Sequence, residues 1–386
     1  MSHDRAQQIL CDLIAINTVN PMGKAWPGPA PVERPVVEYL ELLFSRYDVA
    51  LERQTYSDRH ENLLVSIPGQ REGAATLFES HIDTVPADDW PETAFQPRVE
   101  GTKIFGRGAC DDKGPLVAML LPLLELLESG QRPPQPVLFL AAGDEEYAQT
   151  GIRHYIDNER RPLGRGLFGE PTQCLPVIQH KGTVRWDITV QGRSAHSSTP
   201  ANGRNAILDM LPVIHCLREL EQEFQTRYTS ELMTGPTLTI TMIHGGRTRN
   251  AVPDQCTISI DLRLLAGMDL QRSSEEVRRR VDSLGVEVSH SLPQAATPSL
   301  ATSPEDPFTQ FVLDTCRQEL GRDVVPTGAP YCTDAAYFPA GSPAIVVGPG
   351  DIRHAHAINE FVDLREVMQC ARIHKRLMLH DWESGR

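Results

Sequence analysis

The sequence predicts an α/β protein built from a discontinuous larger domain, residues 1–178 and 296–386, with a smaller ferredoxin-like (βαββαβ) domain, 179–295, inserted into it. Three observations lead there. Apolar strand-like runs alternate with helix-like runs up to about residue 178. Near His180 the order changes to strand, helix, two strands, helix, strand. From Phe308 the first pattern resumes. A chain of 386 residues is also longer than one core ordinarily supports.

Each element follows from its local pattern. A helix is expected near Arg5–Ile16, then a Pro/Gly-rich loop over Asn20–Pro31, a helix over Val32–Tyr47 and alternating strands to about Ile67. Thr76–Glu79 reads as a strand end feeding His81, and Leu116–Glu128 as a long buried helix. Val137–Ala142 is an apolar strand with a helix over Gly151–Glu159 behind it, and Leu167-Phe168 is a short strand. In the inserted domain Val184, Trp186, Ile188 and Val190 alternate, so Thr183–Val190 is a half-buried strand. A helix over Arg204–Thr226 is expected to bury Leu208, Leu211, Ile214, Leu217 and Leu220. Strands at Thr237–Met242 and Cys256–Leu264, a helix over Leu270–Ser283 and a strand at Val286–His290 complete the unit. The Pro- and Ser-rich stretch Leu292–Pro307 reads as the return linker. A helix to Leu320, a strand around Ala344–Val347 and a last helix from Leu364 follow.

Composition excludes some classes of function. The net charge is −14 and no basic tract stands out, which argues against nucleic acid and anionic membrane as partners. The apolar run Leu116–Leu127 is too short to span a bilayer and is interrupted by Pro122 and Glu125. The polar start, Met1–Gln8, lacks the apolar core of a signal peptide. Eight scattered cysteines with no CxxC pair read as reduced cytosolic thiols. The expected location is the cytoplasm.

Five short segments carry the chemistry: Ser80-His81-Ile82-Asp83, Cys110-Asp111-Asp112-Lys113-Gly114, Gly143-Asp144-Glu145-Glu146, Gly169-Glu170-Pro171-Thr172 and His354-Ala355-His356. Together they hold the histidines and carboxylates of a two-metal hydrolytic site. Each alone is more simply structural, and Asp111-Asp112 could equally cap a helix. Jointly, at strand ends, they need a cation to offset their mutual repulsion. His81 and Asp83 point the same way on an extended segment, so one can ligate while the other orients it. Adjacent glutamates can divide metal binding and proton transfer. His354 and His356 are rivals for one role. His196 could donate to an oxyanion, and Arg263, ending an alternating strand, could grip a carboxylate.

These motifs resemble the M20 metallopeptidase and deacylase family, over nearly the whole chain. The residues that carry the resemblance are His81-Ile82-Asp83-Thr84-Val85-Pro86, Gly106 to Gly114, Asp144-Glu145-Glu146 and Gly169-Glu170-Pro171-Thr172. His180-Lys181-Gly182, His196-Ser197-Ser198, Ile243-His244-Gly245-Gly246 and Tyr331-Cys332-Thr333 are similar to its acetylornithine deacetylase branch. The resemblance implies a zinc-exopeptidase-like catalytic domain with an inserted lid and dimerisation domain. It implies two Zn2+ per subunit, with Co2+ as a substitute, held by His81, Asp111, Glu146, Glu170 and His356, Asp111 bridging both ions and His356 chosen over His354 by its His-x-x-Asn-Glu context. Asp83 would orient His81, and Glu145 would be the general base. His196 would act across a homodimer, and Arg263, Asn250 and Lys181 would meet substrate. The implied activity is removal of an N-acyl group, acetyl first, from a small amino acid, with a place in amino-acid (arginine) biosynthesis. Succinyl-diaminopimelate desuccinylase, dipeptidase and carboxypeptidase activities are the neighbouring alternatives, and a non-catalytic binding relative is the remote one. Asp112 stands where the family often has methionine, and two departures stand out: Ser80 replaces a usual glycine, and Leu264-Leu265-Ala266-Gly267 replaces a more proline-rich turn after Arg263.

Overall fold

The structure, a computed structural model, describes residues 2–25, 28, 30–88, 90 and 92–383, so the expected loop 20–31 lies partly outside the described residues. The chain forms two compact units. One comprises Met1–Ile178, Thr302–Thr327 and Thr333–Arg386; the other comprises Gln179–Ala301 and Gly328–Cys332.

The first unit is built on a mixed sheet. Its order is Ala50–Thr55, Glu61–Ile67, Val137–Ala142, Ala75–His81, Leu163–Phe168 and Ala344–Val346. The first two pairings are antiparallel and the remaining three parallel. Strands Ala75–His81 and Val137–Ala142 are buried at every position, as parallel strands covered on both faces must be. Helix Lys113–Ser129 packs on strand Ala75–His81 and against helices His3–Ala15 and Leu364–Leu379. Nearly all of its residues are buried, which explains why its sequence is apolar all round. Lys113 is fully buried, and its Nζ donates to the carbonyls of Leu13 (2.9 Å) and Ile16 (2.7 Å) at the open end of the first helix. Burial lowers that amine to about 7.

The second unit has sheet order Thr237–Gly245, Gln255–Leu264, Gly182–Gln191, Val288–His290, all antiparallel. Helices Ala206–Arg227 and Leu270–Asp282 cover one face. This is the ferredoxin-like arrangement, with the second strand of the motif at the edge. Val184, Trp186, Ile188 and Val190 all lie in its core.

Two expectations need correction. Leu208 and Leu211 are 60% and 50% exposed; Leu217 and Leu220 are buried as expected, together with Ala206, Met210, Val213 and Phe224. A leucine line every third residue falls about 60° short of a turn at each step, so it walks off the buried face. The stretch Leu292–Pro307 is not a plain linker either. Ala295–Thr297 pairs with strand Gly182–Gln191, and Leu300 and Ala301 pair with His180 and Gln179, so residues 296–301 join the second unit. Short strands pairing inside polar stretches leave too little alternation to be read from sequence. Hairpin Arg98–Glu100/Lys103–Phe105 with Phe361–Asp363 beside it went unread for the same reason.

Candidate metal centre

Parallel pairing is what gathers the site. The strands ending at His81, Ala142 and Phe168 run the same way, so their following loops emerge at one edge of the sheet. Those loops carry Asp83, Glu145, Glu146 and Glu170. Ala344–Val346 is parallel to them and leads into the turn before His356. Asp111 lies just ahead of helix Lys113–Ser129, in a segment pinned by Glu360. That carboxylate accepts from the backbone N–H of Cys110 (2.9 Å) and Asp111 (3.1 Å) and pairs with buried Arg107 at 2.6 Å.

Loop 143–151 is clamped by Asn62, whose amide accepts from Gly143 N–H at 3.0 Å and donates to the Gly151 carbonyl at 2.9 Å. A Cβ on Gly151 would meet the Gly143 oxygen at 2.2 Å, so only glycine closes this loop. Asp144 and His356, each beside or within the site, have positive φ of 64° and 59°. Left-handed backbone at such residues is strain that the surrounding contacts must hold.

Two donor groups result. His81, Asp111, Asp112 and Glu170 offer atoms within 4.8 Å of one another, as do Asp111, Glu146 and His356. Asp111 belongs to both. Its Oδ1 lies 2.9 Å from His81 Nε2 and its Oδ2 3.2 Å from His356 Nε2, which is 3.3 Å from Glu146 Oε2. The donors are imidazole and carboxylate only, because the Cys110 thiol turns to the Asp351 carbonyl. That set suits zinc-like divalent ions, and two groups sharing one carboxylate suit a metal pair. His354, the rival histidine, packs against Phe361 instead, the two rings tilted with centroids 4.3 Å apart.

Asp83 does more than face His81. It accepts the N–H groups of Glu145 (3.1 Å) and Glu146 (3.3 Å) and the Asn20 amide (2.8 Å), so it ties the histidine strand to the glutamate loop. Asn20 also reaches Asp144 at 2.9 Å. Glu145 stands outside both donor groups, with its Oε1 bonded by Gln149 Nε2 at 3.0 Å.

Burial, then the negative charges of Asp334, Glu146 and Asp111, raises the Glu145 carboxyl well above its ordinary range. Burial likewise lifts Glu170 well above it, Glu33 and Glu360 to about 7, and Asp334 to about 8. Hydrogen bonds that its imidazole donates to Asp111 and Glu146 raise His356 to about 11. All these shifts have one sign: between about pH 4 and 8 the metal-free native state holds more protons than the unfolded chain. Its stability therefore falls as pH rises through that window, by an order of 3 kcal/mol per group shifted 2 to 3 units. Buried His180 and His374, lowered to about 4, oppose this between about pH 4 and 6.5, and Lys113, shifted down, opposes it above about 7, but the raised carboxyls outnumber them. Thermal melts in chelator should show a higher Tm at pH 5 than at pH 8, and metal ions should restore the loss at pH 8. A rising apo profile would contradict the assignment.

Residues 77–380 match the model of peptidase family M20/M25/M40. The chain belongs to that family. It is 31% identical over 332 residues to an acetylornithine deacetylase of Klebsiella pneumoniae, covering 83% of this chain and 84% of the relative. Its fold is shared with an M20-family metallo-carboxypeptidase from Sulfolobus solfataricus (TM-score 0.78, 18% identity, 97% and 99% of the two chains). Aminopeptidase PepT from Bacillus cereus is similar as well (TM-score 0.77, 17% identity, 98% of each). This M20 protein is thus a metal-dependent hydrolase.

The M20 site residues expected in the first unit all converge. The other four lie in the second unit. His196 and Asn250 are exposed neighbours, joined where Ser197 N–H donates to the Asn250 carbonyl at 2.9 Å. Arg263 is not free: its Nε and Nη2 bind Asp261 at 3.0 and 3.1 Å. Lys181 Nζ donates to the Gly235 carbonyl (2.6 Å) and Thr234 Oγ1 (3.1 Å). Sequence reasoning missed Asn20, Asp334, Glu79 and the membership of Asp112 in the first donor group. Glu79 was findable, since it sits two before His81 on the same strand face. Asp334 and Asn20 carry no local signal.

Proposed function

We propose that this M20 enzyme removes an N-acyl group, acetyl first, from a small amino acid, using two Zn2+ ions with Co2+ as a substitute. One observation carries the reading: two donor groups share Asp111, and a half-buried glutamate that belongs to neither, Glu145, stands beside them. The 31% identity to an acetylornithine deacetylase supports that substrate class. His81, Asp111 and Glu170 would hold one ion and Asp111, Glu146 and His356 the other. Bound there, the ions would acidify a water and polarise the acyl carbonyl. Glu145 is placed to take a proton from an attacking water, and its raised proton affinity suits it to deliver that proton to the departing amine. Asp83 keeps His81 and the glutamate loop in register. His196 donates to the oxyanion.

The enzyme is read as a cytoplasmic homodimer formed through the second unit. Ile207, Leu208 and Leu211 on one helix and Met242 and Ile243 on the edge strand are 39–60% exposed, a hydrophobic strip beside an unpaired strand edge. Cys11, Cys110, Cys174, Cys216, Cys256, Cys316 and Cys370 are free thiols, and no helix among the described residues is long and apolar enough to cross a membrane.

A panel of N-acyl amino acids and dipeptides, assayed with Zn2+ and with Co2+, tests the reading. Preference for dipeptides would make the enzyme a dipeptidase of the same family. Arg263, helped by Asn250, is assigned to the substrate carboxylate, which must draw the guanidinium from Asp261. Arg263→Met should therefore cost about 2 kcal/mol in kcat/KM for the free acid. Equal turnover of the substrate's methyl ester and free acid by the native enzyme would remove that role.

A further inference from the structure

We infer that Asp112 is an additional metal-binding carboxylate of the first donor group, and that Ser80 positions it. The inference rests on the two-metal reading above. Asp112 is completely buried, and one of its oxygens lies within 4.8 Å of the donor atoms of His81, Asp111 and Glu170. Its two oxygens differ. Oδ2 accepts a hydrogen bond from the Ser80 hydroxyl, whereas Oδ1 is buried with no hydrogen-bond partner among the described residues. A carboxylate oxygen withdrawn from water and left without a donor is costly, and a cation is the partner that this group of donors calls for.

The surroundings hold the carboxylate in place. Ser80 is itself inaccessible, so its hydroxyl has few ways to turn away. Gly169, immediately before the donor Glu170, leaves the needed space: a Cβ there would meet Asp112 Oδ2 at 2.9 Å and Ser80 Cβ at 3.1 Å. Three segments, ending the strands at His81 and Phe168 and preceding helix Lys113–Ser129, thus meet around this one side chain. Ser80 and Asp112, which stand where the resembled family often has glycine and methionine, are in direct contact. Neither a glycine nor a methionine could supply the hydroxyl or the carboxylate. With Asp112, the first group has three carboxylates and one imidazole, against two carboxylates and one imidazole in the second. The extra oxygen donor should tighten the first site and leave the second alone.

The test is metal binding rather than turnover. Zn2+ would be titrated calorimetrically against a competing chelator, and Co2+ followed by its visible absorption, in the native protein, Asp112→Asn and Ser80→Ala. The native protein should take two ions. Asp112→Asn should weaken the first by about 10- to 100-fold, shift the Co2+ spectrum of that step and leave the second step unchanged. Ser80→Ala should weaken the same step by less; because it keeps the carboxylate, it gives the readout even if Asp112→Asn fails to fold. Two ions bound in both variants with native affinities and spectra would overturn the role of Asp112 while leaving the two-metal reading intact. Fewer than two ions in the native protein would overturn that reading and this inference with it.

Discussion

Glu145→Gln should lower kcat by about 100- to 10,000-fold while both metal ions still bind, because general acid–base catalysis is what the carboxylate supplies. The substitution keeps the size of the side chain and its contact with Gln149, and it alters neither donor group. It removes only the group that can take a proton from water and pass it to the leaving amine. Loss of rate should therefore come without loss of metal, and KM should change little. The measurement is steady-state kinetics beside metal content on the same preparation. Near-native turnover at full metal occupancy would place the base elsewhere.

His196→Ala should cost about 100- to 1,000-fold in kcat, the usual effect of removing one oxyanion donor. The ring is set up to donate. Its Nδ1 accepts the Ser198 N–H at 3.2 Å and lies 2.7 Å from the Ser198 hydroxyl, which leaves Nε2 as the protonated nitrogen of the neutral ring. A mixed dimer tells whether this donor serves its own subunit or the neighbour. If His196 acts in trans, pairing a Glu145→Gln subunit with a His196→Ala subunit leaves one site with both lesions and the other intact. Activity should then reappear from two inactive parents. No recovery in a verified heterodimer would count against the shared site, and a monomeric enzyme in solution would end the idea.

Much of the site was legible because each acid or histidine follows an apolar strand, and a strand end is where an α/β sheet delivers its ligands. His81, Glu145, Glu146 and Glu170 are of this kind. Less could be read where the partner is distant in the chain. Nothing near Glu360 says that it accepts two backbone N–H groups some 250 residues earlier or pairs with Arg107. Arg263 looked available because strand alternation shows which face a side chain takes, whereas Asp261, two residues away on that face, already holds it. Leu208 and Leu211 misled for a geometric reason: leucines are apolar wherever they stand, and only the 3.6-residue turn decides which of them is buried.

By itself, the sequence determined the alternation of strands and helices, the inserted βαββαβ order, the residue types able to hold two metal ions and the glutamate left over to move a proton. All of these are properties of neighbouring residues, set by period and by chemistry. The tertiary structure alone decided that Asp83 ties two strands together, that Glu360 pins the segment before Asp111, and that Ser80 and Asp112 meet beside His81. Those are contacts between segments far apart in the chain. They exist because parallel strands bring their ends to one edge of the sheet, and chain folding rather than local pattern fixes which side chains share that edge.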